Sequence, residues 1–147
     1  MRKEPFFRYW RELERVVPVV QSQTAGDIML TLVSLEIYAK QGFLVIFNGQ
    51  SSVPGARFDR GMRGWMQARI TDRLGDNYTN GQTLLSGIQH AHTFIGRAVM
   101  PCTPPVQPQA GGLAITIPAI EWEYPDGDES LPAFELLPGP WLFDIAL

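Results

Sequence analysis

The chain has 147 residues, 45% of them hydrophobic and 18% charged, which suits one domain with a true core and excludes a disordered chain. Its net charge is only −3, yet residues 1–97 hold all twelve Lys and Arg against eight acids, while residues 98–147 hold seven acids and no base. No strongly basic domain emerges, which argues against a nucleic-acid partner, and the single cysteine, Cys102, excludes an internal disulfide.

Residues 1–14 read as an aromatic arm ahead of a main domain at 15–147. Pro5 suits a first helical position. Phe6, Tyr9, Trp10 and Leu13 follow at the spacing of one helical face, with Arg8, Arg11, Glu12 and Arg15 opposite. The expectation is a short amphipathic helix over 5–14, ended before Pro18. The segment lacks the apolar run of a signal peptide, and no stretch reaches membrane-span length. A cytoplasmic protein is expected, with leaderless export left open.

From residue 16 the period becomes two. Residues 16–24 read as an edge strand, because Pro18 has no N–H for a central ladder. Ile28, Leu30 and Leu32 share one face, then Val33, Leu35 and Ile37 continue in the opposite phase, which predicts a bulge near Val33–Ser34. "AKQG" reads as a hairpin turn into the buried strand 42–49. A long loop at 50–64 carries Arg57, Arg60 and Arg63, candidates for an anionic partner or simply solvated charges. Met66, Ala68 and Ile70 alternate inward. Residues 72–78 are turn chemistry ending at Tyr78, whose hydroxyl is expected to bond nearby backbone, as in a tyrosine corner.

Residues 79–91 read as irregular and 92–100 as a strand. A proline-rich connection leads to the strand 113–124, then an acidic loop leads to Trp141, Phe143, Ile145 and Leu147 in phase. Turns recur through fourteen Gly and twelve Pro. The pattern predicts an all-β, antiparallel β-sandwich of seven or eight strands.

Three stretches carry a resemblance: "RVVPVVQSQTAGDIMLTLVSLEIYAKQGFLVIF", "ITDRLGDNY" and "LAITIPAIEWEY…PGPWLFDIAL". Across residues 15–147 they resemble a set of uncharacterised bacterial immunoglobulin-like β-sandwich domains. The most specific element is the turn with Asp72, Leu74, Gly75, Asp76 and Tyr78. The resemblance implies an immunoglobulin-like fold and a non-enzymatic role. The aromatic arm and the arginine loop fall outside it.

No residue pattern specifies a reaction or a cofactor. His90 and His92 share a strand face, as a cupin's metal-binding pair does, but no further histidine or nearby acid completes a metal site. Cys102 lies among prolines without an adjacent base. Ser51, Ser52 and Ser86 lack a nucleophile-elbow context. Glu121 and Glu123 share a strand face without a cleft signal. Gly111–Gly112 precede a strand, not the helix N-terminus that a phosphate loop needs. The leading expectation is therefore a structural or interaction module, a subunit of a homo-oligomer, filament or larger complex. Phe6, Tyr9, Trp10 and Leu13 would contact a protein partner or a second copy, and the charge split would set a head-to-tail register. The alternative is a metal-dependent or small-ligand-binding β-protein using His90 and His92.

Overall fold

The computed structural model describes residues 10–51, 63–90, 93–123 and 134–147. Within them the chain forms ten strands: β1 (Leu13–Ala25), β2 (Ile28–Tyr38), β3 (Gly42–Ser51), β4 (Arg63–Met66), β5 (Arg69–Asp72), β6 (Asn77–Asn80), β7 (Thr83–His90), β8 (Thr93–Thr103), β9 (Gly112–Glu123) and β10 (Phe134–Ala146). All pairings are antiparallel. Hydrogen bonds join β1 to β7 in one path, with β10 added beside β9.

Ten strands replace the expected seven or eight because one long hairpin is interrupted. β4 pairs β7 through Gly64↔Leu85 and Met66↔Thr83, and β5 continues the hairpin on β6 through Ile70↔Tyr78, with the register shifted by one residue. At the break, the Asn80 side chain takes the place of a missing backbone pair. Its Oδ1 accepts from the Ala68 N–H and its Nδ2 donates to the Ala68 carbonyl, both at 2.9 Å. Residues 79–91, expected to be irregular, contribute β7 instead. Thr83 and Leu85 alternate inward there, and the Gly and polar content had masked that period.

β8 and β9 are the organising strands. β8 holds β3 on one edge and β6 with β7 on the other. β9 likewise holds β10 on one edge and β4 with β5 on the other. The inner faces of these two ends of the ladder pack on each other. Phe47 of β3 meets Phe143 of β10 with ring centroids 5.7 Å apart, and Phe94 of β8 meets Trp122 of β9 at 5.6 Å. The buried Trp141 indole donates to the Ile28 carbonyl at 3.1 Å, tying β10 to β2.

Of the residues read as inward-facing from Ile28 onward, all but Val33 and the half-buried Leu147 are buried. Val33 is the bulged residue itself, since pairing with β3 jumps from Leu32↔Phe47 to Ser34↔Ile46. The bulge spans the neighbouring strand as well, where pairing jumps from Pro18↔Ser34 to Gln21↔Leu32. β10 has its own irregularity between Pro138 and Trp141. Both outer strands therefore combine prolines with bulges, which blunts them against further strand addition. They approach one another, and the Gln21 side chain donates to the Asp144 carbonyl at 2.8 Å.

The predicted helix needs correction. Residues 5–9, with Phe6 and Tyr9, lie outside the described residues. Residues 10–12 are not helical, and Leu13 already belongs to β1, opposite Tyr38. Glu12 has φ of 64°, outside the right-handed helical region. Its carbonyl accepts from the Ala39 N–H at 3.3 Å. A tertiary backbone bond thus overrides the local helical spacing.

Candidate interaction surface

The most complete polar cluster is the turn between β5 and β6. Asp72 Oδ1 accepts from the N–H groups of Leu74 and Asp76 at 2.9 and 3.0 Å. Asp72 Oδ2 accepts the buried Tyr78 hydroxyl at 2.7 Å. That hydroxyl in turn accepts the Gln107 N–H at 3.3 Å. The Tyr78 bond and these amides hold the Asp72 carboxyl below its ordinary range against the opposing effect of burial. Burial first, then Asp72, pushes the Tyr78 phenol up to about 12. The sequence had Tyr78 donating to backbone; the acceptor is the Asp72 side chain instead. A saturated network of this kind fastens the turn to the 107–110 connection, where Ala110 accepts the Arg73 N–H at 3.2 Å. Its groups are spent on structure.

The sequence-derived candidates scatter. Arg57, Arg60 and His92 lie outside the described residues with Phe6 and Tyr9, and so does Ser52. His90 ends β7, where its backbone pairs with Thr93. Trp10 packs within its own chain, edge-on to Tyr38 at 5.6 Å, while Leu13 is 50% exposed. Cys102 is buried, its Sγ directed at the Met100 carbonyl, and burial pushes the thiol well above its usual range. Ser51 is buried and Ser86 is exposed on β7. Among the described residues, no three His, Cys, Asp or Glu side chains are grouped as metal ligands, and no helix is long and apolar enough to cross a membrane. An open cleft of about 550 Å³ lies between residues 24–28 and 137–140, with Asp27 as its one titratable lining group.

Arg63 is the exception among the candidates, because the ladder brings it into a surface that sequence reading missed. On the outer face of β10, β9, β4 and β7, the registers align Leu136, Glu121, Trp65 and Leu84 in one row. The adjacent row runs Phe134, Glu123 and Arg63. Phe134 and Leu136 are 50% and 66% exposed, and Trp65, Leu84, Glu121 and Glu123 are half-buried. The Trp65 Nε1–H donates to Glu123 Oε2 at 2.8 Å, which ties the indole to the adjacent row. Large apolar side chains thus stand partly in water beside two carboxylates on one face of the sheet. The shared face of Glu121 and Glu123 was visible in their alternation. Their apolar neighbours were not, because Trp65 and Leu136 reach them only through strand pairing. No protein-family model, curated protein or solved structure matches this chain.

Proposed function

We propose that this chain is a non-enzymatic interaction module, an immunoglobulin-like β-sandwich subunit of a homo-oligomer or larger protein complex. The packing of Phe47 on Phe143 and of Phe94 on Trp122 supports the sandwich part of this reading. The observation that carries the functional part is the row of Leu136, Glu121, Trp65 and Leu84 beside Phe134 and Glu123. Large apolar side chains that stand half in water on an edge strand mark a surface built to be covered. The two carboxylates select a partner that presents apolar and basic groups together. Residues 1–97 of a second copy have that character, with all twelve of the chain's Lys and Arg.

Sedimentation velocity on the parent and on the double variant Phe134→Ser, Leu136→Ser tests this reading. The parent is expected to sediment as an assembly and the variant as a monomer with unchanged circular dichroism. The same distribution for both proteins refutes it.

A further inference from the structure

The surface of Phe134, Leu136, Glu121 and Glu123 calls for a partner with a cation beside exposed apolar groups. Glu123 already accepts the Trp65 indole N–H and has Arg63 opposite it on β4. Glu121 has no ion-pair or hydrogen-bond partner for its carboxylate among the described residues. It is the carboxylate left for another molecule to meet.

Most basic side chains of the described residues cannot answer it. Lys40 pairs with Glu12 at 3.4 Å, and Arg11 and Arg15 stand next to Glu12 and Glu14 along the chain. Arg63 belongs to the surface itself, and Arg73 follows Asp72 in its turn. Arg69 is aligned with the exposed Leu142, but two strands away across Thr116. Arg97 meets the requirement. It is exposed on the outward face of β8, two residues from Ile95, which is 56% exposed. Strand pairing sets Ser22, Thr31, Asn48 and Ser86 in the row of Arg97, and Met29 and Gln50 in that of Ile95. None of these neighbours is charged, and no ion pair engages the guanidinium among the described residues.

Phe94 of β8 meets Trp122 of β9 across the core at 5.6 Å. Side chains alternate along each strand, so Ile95 and Arg97 leave the core on one side, Glu121 and Glu123 on the other. We propose that Arg97 and Ile95 of one copy dock on Glu121, Leu136 and Phe134 of the next, stacking copies head to tail. Glu121 and Leu136 stand one strand spacing apart, about 5 Å, and Arg97 and Ile95 two residues apart, about 7 Å. The long arginine side chain takes up the difference while Ile95 covers the apolar pair. Two different patches on opposite sides make a heterologous contact, which propagates into a filament or closes into a ring. This inference rests on the docking reading above and names the face that occupies it.

Sedimentation velocity on full-length charge variants, each checked for unchanged circular dichroism, tests it. Arg97→Glu and Glu121→Arg should each sediment as monomers. An equal mixture of the two should assemble again, because the altered face of each then fits the altered face of the other. If the parent assembles and Arg97→Glu assembles equally well, or the mixture stays monomeric, this pairing is overturned while the docking reading stands. A monomeric parent overturns both. The conservative variant Arg97→Lys gives a second readout. A zero-length carbodiimide should join position 97 of one chain to Glu121 of another, seen by mass spectrometry of mixed isotope-labelled and unlabelled chains. Absence of that intermolecular cross-link in an assembled sample also overturns the pairing.

Discussion

The hydroxyl of Tyr78 fills one side of the Asp72 carboxylate while backbone N–H groups fill the other. Replacing Tyr78 by Phe removes one hydrogen bond and deprives the Gln107 N–H of its acceptor. The expected loss is about 1 kcal/mol at neutral pH, the usual net value of one such bond. The pH dependence has a definite sign. Asp72 has a folded-state pKa below its ordinary 3.8, so its contribution is complete above that value and is lost as pH falls through the folded pKa. Tyr78→Phe removes the largest cause of the depression and should flatten the acid loss below pH 3.8. Urea denaturation over a pH series checks this, and a midpoint difference that is constant with pH would contradict the coupling. The turn residues themselves were legible from sequence, because Asp, Gly and Asp at short spacing have few other uses. The Gln107 partner was not, being contributed by a connection 29 residues further on.

Among the elements, β1 shows the clearest conflict between residue and backbone. Val20 has φ of 53° within the bulge, a region that β-branched residues strongly avoid, and its side chain is 72% exposed. Conformations of this kind cost on the order of 1–3 kcal/mol. Asn tolerates them better, so Val20→Asn should stabilise the protein by about 1 kcal/mol, seen as a higher urea midpoint at unchanged slope. A lower midpoint would mean that the valine side chain supplies more than its exposure indicates. The bulge also brings Gln21 to the Asp144 carbonyl, so the distorted segment is the one that joins β1 to β10. Gly42 makes the opposite case, where the residue fits a demand of the fold. A Cβ there would collide with the Cys102 carbonyl oxygen and press on the Trp10 ring. Gly42→Ala should therefore cost more than about 1 kcal/mol, and an unchanged denaturation midpoint would show that β3 and β8 are free to separate locally.

At the scale of the molecule, the basic residues 1–97 and the acidic residues 98–147 make association salt-dependent if unlike halves meet. Screening shortens to about 8 Å at physiological ionic strength, so the assembled fraction in sedimentation should fall as salt rises. A fraction that grows with salt would assign the contact to apolar burial without a charge register. What the sequence determined by itself was whatever depends on neighbours along the chain. The all-β class, the inward residues from Ile28 to Ile145, the Val33 bulge and the proline-marked outer strand follow from an alternation of two and its interruptions, and burial of one strand face enforces that alternation locally. The tertiary structure alone decided the rest. Leu13 joined β1 because Tyr38 lay opposite it, against a helical spacing that offered no such partner. Asn80 replaced a backbone pair at Ala68, a role its local sequence does not encode. Trp65, Glu121 and Leu136 became one surface because β4, β9 and β10 pair in register, and residues that far apart in sequence become neighbours only when the ladder closes.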